Sequence, residues 1–265
     1  MTAERSSPTK CFTVDALAVR VYPTQRQMAA DAAQLAGEHL VATLAAKESA
    51  AVILASATSQ IMFLEALVGL EGIDWPRVTL FHMDEYLGVS PDHPASFRRF
   101  LRERVASRLP VRCFHYLEGE CLEPLTECDR YARLLKAQPV DLCVLGIGEN
   151  GHVAFNDPPV ADFEDPRTVK LVKLDLPCRQ QQVGEGCFPS LAAVPEYAFT
   201  LTIPTLCSAT RLLCVVPERR KAQAVRATLQ GPISTACPAS VLRRFPQATL
   251  FLDADSASLL QAAPR

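Results

Sequence analysis

The sequence predicts an α/β protein built on a mostly parallel central sheet flanked by helices, and three observations carry that prediction. Short apolar runs recur at residues 51–54, 77–81, 141–145, 211–216 and 248–252, the pattern of strands covered on both faces. Segments with helical spacing separate several of them. Polar clusters follow four of the runs, at residues 56–60, 84–85, 149–157 and 219–221. Ligands of open parallel sheets bind outside the carboxyl ends of the strands, so the four clusters are expected to converge at one mouth. Two of them suit a phosphate and two suit proton transfer.

The chain of 265 residues is long enough for one large domain to bury its core without staples. Residues 1–10, MTAERSSPTK, are polar and are expected to be a disordered leader, with residues 11–265 forming a single α/β domain. The 27 basic residues nearly balance the 29 acidic ones, which argues against a nucleic-acid partner. The N-terminus has no apolar core, and no later apolar run reaches the length of a bilayer span. A cytoplasmic protein with no membrane partner is expected. The 10 cysteines include no C-x-x-C pair, and Cys143 and Cys214 sit inside strand patterns where cysteine acts as a small hydrophobe. Neither a metal nor a disulfide framework is expected.

Residues 11–21 can hold one or two short strands. Thr24 followed by Gln27 is a capping-box start, since the two side chains can each satisfy a free backbone N–H of the first turn. Met28, Ala32 and Leu35 then recur at helical spacing to about residue 46. After the strand at 51–54, Ile61, Leu64 and Val68 mark the inner face of a second helix. Between strand and helix lie Ser56, Ala57, Thr58, Ser59 and Gln60, small and hydroxyl-rich, which suits phosphate at a helix N-terminus. An ordinary Ser/Thr cap explains the same residues equally well.

The run at 77–81 leads to Asp84 and Glu85, adjacent carboxylates at a strand end, where a solvated turn is the plain alternative to proton transfer. Phe97, Phe100, Leu101, Val105 and Leu109 make a helical stripe whose arginines are expected to face solvent. Residues 115–123 read as a loop and 125–138 as an amphipathic helix.

Residues 141–159, DLCVLGIGENGHVAFNDPP, are the centre of the chain. Gly146, Gly148 and Gly151 match the dinucleotide fingerprint G-x-G-x-x-G, which requires a helix to open at the third glycine. Pro158 and Pro159 forbid an ordinary helix interior there, and no nucleotide cofactor is expected. Instead Glu149, Asn150, His152, Asn156 and Asp157 crowd the turn. A lone histidine reads as a hydrogen-bonded core imidazole, but His152 among these polar neighbours reads as an acid/base group.

Residues 160–187 are the expected lid, because long irregular segments in compact domains tend to be functional. Within it, 168–174 alternates like an exposed strand, and 179–182 and 184–186 are expected to be mobile. Strands are expected at 197–203 and 211–216. Arg219, Arg220 and Lys221 then open a helix with Ala222, Val225 and Leu229 on one face. Three cations near a helix N-terminus oppose its dipole, and a bound anion would relieve that conflict; a solvated basic turn is the alternative. After the strand at 248–252, Asp253 or Asp255 is expected to cap a last helix.

FHMDEYLG with the nearby DHPASF, GIGENGHVAFNDP, and VPEYAFTLTIPTL followed by RRKAQAV occur in this order across residues 51–252. Together they resemble the glucosamine-6-phosphate deaminases, in a wider family that includes the 6-phosphogluconolactonases. The resemblance implies a Rossmann-like fold and conversion of glucosamine 6-phosphate to fructose 6-phosphate and ammonia, without a redox cofactor. It implies Asp84 as the base between the first two sugar carbons and His152 as the ring-opening group, with Asn150 and Asp157 orienting it. It further implies a phosphate loop at Ser56, Ala57, Thr58, Ser59 and Gln60 and a phosphate lysine at Lys221; Glu85 and Gly151 are expected beside the substrate. Three features depart from the family pattern: the phosphate loop lacks glycine, FNDP replaces FNEP, and Asn150 stands where many members carry a carboxylate. The family's lid arginine is matched at best by Arg179, Gln180 or Gln182. A sugar-phosphate lactonase and a non-catalytic sugar-phosphate sensor are the competing readings, and the sequence leaves a homo-oligomer open.

Overall fold

The computed structural model describes residues 7–261. Among them, eleven strands form two sheets. The chain opens with an antiparallel pair, β1 (Lys10–Val14) and β2 (Leu17–Tyr22), and α1 (Gln25–Ala46) follows. Residues 1–6 of the expected leader lie outside the described residues, and Lys10 already begins β1. Thr24 caps α1 by accepting a hydrogen bond from the Gln27 backbone N–H at 3.3 Å. The chain then alternates through β3 (Ala50–Leu54), α2 (Ile61–Val68), β4 (Val78–His82), β5 (Asp84–Tyr86), α3 (Phe97–Leu101), β6 (Cys113–His115), α4 (Pro124–Lys136) and β7 (Leu142–Leu145). The remainder comprises β8 (Val169–Lys173), α5 (Leu176–Gly184), β9 (Tyr197–Leu201), α6 (Ile203–Cys207), β10 (Arg211–Val216), α7 (Ala222–Gln230) and β11 (Ala248–Asp253).

The large sheet has the order β1-β2-β11-β10-β7-β3-β4-β6, parallel throughout except at β1–β2. β3, β4 and β6 run outward to one edge. β7 then returns beside β3, and β10 and β11 extend the other way. The strand order therefore reverses between β3 and β7, where a doubly wound sheet opens its ligand crevice.

Both faces of this sheet are covered, which is why its strands read as continuous apolar runs. Successive β3 residues alternate between two cores: Val52 and Leu54 pack with Met28, Leu40 and Phe63 of α1 and α2, and Ala51 and Ile53 pack with the side of the sheet that includes Tyr131 of α4 and Val225 of α7. The inner face of α2 is Phe63, Leu64 and Leu67, so Ile61 and Val68, expected inside, are only half-buried. α3 lasts five residues before Arg102–Ala106 widens into a π-type turn.

The second sheet is a small antiparallel one, β5-β9-β8. It puts the Asp84-Glu85 pair on a strand, which excludes the alternative of a solvated turn, and it corrects two other expectations. β8, expected to be exposed, is mostly buried. The expected lid, 160–187, includes β8 and α5, and the residues expected to be mobile at 179–182 belong to that helix. Strand 197–203 ends at Leu201, because Thr202 caps α6. After β11 the chain forms turns in place of the expected helix, with Asp253 accepting from the Ser256 N–H at 2.8 Å. No helix among the described residues is long and apolar enough to cross a membrane.

Candidate active site

The carboxyl ends of β3, β4, β7 and β10 face one cavity, lined by Ser56, Ala57, Thr58, Ser59, Gln60, Asp84, His152 and Lys221. Eight of the expected site residues thus share one pocket.

Asp84 reaches it from β5, paired with Thr200 of β9. Its Oδ1 is buried with no hydrogen-bond partner among the described residues. Burial, and then the neighbouring charge of Glu85, hold its carboxyl well above the usual carboxylate range. Strand alternation turns Glu85 away from the cavity. Glu85 is fully buried in its own network, accepting from Ser96 Oγ at 2.9 Å, from the Phe97 N–H at 3.2 Å and from the Arg98 N–H at 2.9 Å. The Arg98 guanidinium stands 3.3 Å from the same carboxylate. Glu85, expected beside the substrate, is outside the cavity lining, and Arg98 does not face solvent.

His152 follows β7 at the tip of a tight turn closed by Gly148 N–H to His152 carbonyl at 2.9 Å and Gly151 N–H to Gly148 carbonyl at 3.0 Å. A methyl group on Gly148 would stand 2.1 Å from His152 Cε1, so the imidazole occupies the space that any side chain there would fill. Gly151 has φ +86°, the left-handed region that favours glycine, and its Cα faces Cys237 rather than the cavity. Gly151, expected beside the substrate, is outside the cavity lining. The segment after Gly151 forms turns and a Val153–Asn156 bridge, with no helix to carry a pyrophosphate.

Behind the imidazole, His152 Nδ1 lies 2.9 Å from Asp157 Oδ1. Burial pushes the Asp157 carboxyl up, but hydrogen bonding and charge from His152 and the Asn150 amide outweigh it and leave the group below the usual range. Asn150 bridges the pair: its Oδ1 accepts from the His152 N–H at 3.0 Å and its Nδ2 donates to Asp157 Oδ1 at 3.0 Å. The same amide reaches Asp175, the N-cap of α5, at 3.3 Å. Asn150 and Asp157 are thus behind His152 and outside the cavity lining. His152, Asp157 and Cys178 present possible metal-ligand atoms within 4.8 Å of one another. Burial, then Asp157 and Asp175, push the Cys178 thiol far up. A thiol raised by burial in this way behaves as a packed side chain.

At the opposite end, a single 3₁₀ turn, Thr58–Gln60, leads into α2. Ser56 Oγ and Gln60 Oε1 are buried without hydrogen-bond partners among the described residues, while Gln60 Nε2 donates to the Val215 carbonyl of β10 at 3.0 Å. Lys221 ends a 3₁₀ turn, Arg219–Lys221, that leads into α7. Its side chain is buried, and desolvation pushes its ammonium down despite Glu185. Glu218, just before this turn, has φ +80° and ψ 141°, a strained conformation for a side-chain-bearing residue, and its N–H is held by both carboxylate oxygens of Asp253 at 3.2 Å. Sequence reasoning missed Gly148, Gln181 and Glu185, all of which line the cavity. Gly148 was visible as part of a mismatched fingerprint; Gln181 and Glu185 have no local signal. Arg179, considered for the lid arginine, instead donates to the Leu191 and Val194 carbonyls at 2.9 Å.

Residues 23–251 match the family model described as glucosamine-6-phosphate isomerases/6-phosphogluconolactonase. The chain belongs to that family. Within it, the chain is 36% identical over 188 residues to a glucosamine-6-phosphate deaminase of Exiguobacterium sibiricum, covering 71% of this chain and 73% of that one. A glucosamine-6-phosphate deaminase of Lactobacillus delbrueckii subsp. bulgaricus is 31% identical over 208 residues, covering 78% and 86%. Among solved structures, a monomeric glucosamine-6-phosphate deaminase superposes with a TM-score of 0.84 at 29% identity, over 91% of this chain and 99% of that one. A 6-phosphogluconolactonase from Thermotoga maritima superposes with a TM-score of 0.71 at 20% identity, over 89% and 99%, and shares the fold. The α/β architecture with its mostly parallel sheet is that of the family.

Proposed function

We propose that the chain is an isomerising deaminase that converts glucosamine 6-phosphate and water to fructose 6-phosphate and ammonia. One observation carries the reading: a buried carboxylate, Asp84, and an oriented imidazole, His152, line the same cavity as the buried cation Lys221. The deaminase names of the relatives at 31% and 36% identity support the substrate class.

The chemistry follows from what each group can hold. His152 moves a proton between the ring oxygen and O1 as the pyranose opens, with Asp157 and Asn150 fixing its ring. Asp84 takes the proton from C2 and returns it to C1. Its raised basicity, caused by burial, suits removal of a carbon-bound proton. Water then adds at C2 as ammonia leaves, which gives the ketose. Lys221 and the 56–60 loop hold the phosphate at the far end of the cavity, and residues 160–187 act as the lid.

A cytoplasmic location for the enzyme belongs to the same proposal. Its ten free cysteines, of which Cys11 is exposed, fit a reducing compartment.

The test is a panel of amino sugar phosphates scored for ammonia and ketose phosphate, with one run in deuterated water. Glucosamine 6-phosphate should yield both products, with solvent deuterium at C1. Lactone hydrolysis without ammonia would favour the lactonase reading. Thermal stabilisation by the sugar phosphate without any turnover would favour a sensor.

A further inference from the structure

The cationic end of the cavity already holds an anion of the protein's own. Glu185, the C-cap of α5, has a side chain only 5% exposed, and its Oε1 accepts from Arg220 Nη1 at 2.8 Å and from Gln181 Nε2 at 2.8 Å. The same oxygen lies 4.0 Å from Lys221 Nζ. The Lys221 ammonium makes no hydrogen bond among the described residues, although the side chain is only 4% exposed. A buried ammonium ordinarily has closer partners than this. Arg220 also donates to Thr58 Oγ1 at 3.3 Å, so the guanidinium connects the 56–60 loop to α5. Counting the groups around it, Arg220 and Lys221 face three carboxylates, Glu185, Glu218 and Glu149. An incoming anion would not find a surplus of positive charge here.

We propose that Glu185 determines which anions the site accepts: its carboxylate stands at the place of the substrate's phosphate, and a sugar phosphate displaces it whereas a free anion does not. This rests on the reading of Lys221 as the phosphate end of the cavity. A free phosphate must break the Arg220–Glu185 contact using its own charge alone. A phosphate tethered to a sugar arrives with the contacts of the sugar at Asp84 and His152, and at a high effective concentration. Gln181 and Glu185 both come from α5, so displacing the carboxylate also loosens that helix end from Arg220. The sequence Gly184-Glu185-Gly186, with Gly186 at φ +75°, permits such a swing without moving the body of α5.

The test titrates inorganic phosphate and glucosamine 6-phosphate into the full chain by calorimetry, for the wild type, Glu185→Gln and Glu185→Ala. Losing a charge-assisted contact that the ligand must otherwise break should tighten inorganic phosphate by about 10- to 100-fold in both variants. The sugar phosphate should gain less, because its sugar contacts already meet part of that cost. Unchanged phosphate affinity in folded variants overturns the inference. So does a wild-type chain that binds inorganic phosphate as tightly as the sugar phosphate, a result that needs no variant. Ammonia release by the wild type is scored separately: its absence would sink the deaminase reading, and the phosphate titration would still decide the role of Glu185.

Discussion

The imidazole of His152 rests on the bare Cα of Gly148, so closely that a methyl group there would stand 2.1 Å from Cε1. The ring and the glycine form one unit, and each explains why the other is where it is. Gly148→Ala should therefore push the ring aside while leaving the backbone free to keep its turn, since no positive φ is required at this position. A displacement of about 1 Å at a reacting group can cost about 100-fold. Turnover should fall by at least that factor with an unchanged far-ultraviolet spectrum; a variant with wild-type turnover would show that ring placement does not matter.

Asp84→Asn should lose about 10²- to 10⁴-fold in turnover while still binding the sugar phosphate. It should also change the pH dependence of stability. The folded state holds the Asp84 proton above the pH at which the unfolded chain releases it, so this group favours folding at low pH, and that contribution is lost as pH rises toward the elevated folded value. The melting temperature of Asp84→Asn relative to wild type should therefore climb between pH 4 and pH 8. A flat difference across that range would show that Asp84 is not perturbed.

Lys221→Ala removes the cation at the far end of the cavity. Glucosamine 6-phosphate should bind roughly 10- to 100-fold more weakly, and glucosamine without its phosphate should be little affected. Equal losses for the two ligands would remove Lys221 from the phosphate site.

Glu85→Ala tests stability more than binding. The carboxylate is buried among Ser96, Phe97 and Arg98, and truncating one partner of such a group leaves the guanidinium charge buried and uncompensated. A loss of about 3 to 5 kcal/mol in chemical denaturation is expected. A small loss would mean that Arg98 finds solvent or a new partner.

Periodicity made the large sheet legible because its strands are covered on both faces and their apolar runs are unbroken: β10 was read at its true bounds, and the Thr24 cap of α1 was visible from two residues. The small sheet was opaque for the opposite reason. Asp84-Glu85-Tyr86 looks like a polar turn until Arg98, Ser96 and Thr200 are brought to it by the rest of the fold, and no local pattern reports partners so far away in sequence. The convergence of His152, Asp84 and Lys221 on one cavity was legible because each comes shortly after a buried strand. Glu185 was not, since a lone acid between two glycines reads as a surface loop until Arg220 is seen beside it.

The cavity is assembled from two hydrogen-bonded frames that share no strand. Lys221 and the 56–60 loop hang from the large sheet, whereas Asp84 belongs to the small one, and the loop beyond His152 is tied to that small sheet through the Phe155 N–H and Thr200 Oγ1 at 3.1 Å. Asp84 can then vary with three short strands while His152 and Lys221 stay on segments of the large sheet, so a lineage built on this plan is free to change one reactive group without rebuilding an entire domain.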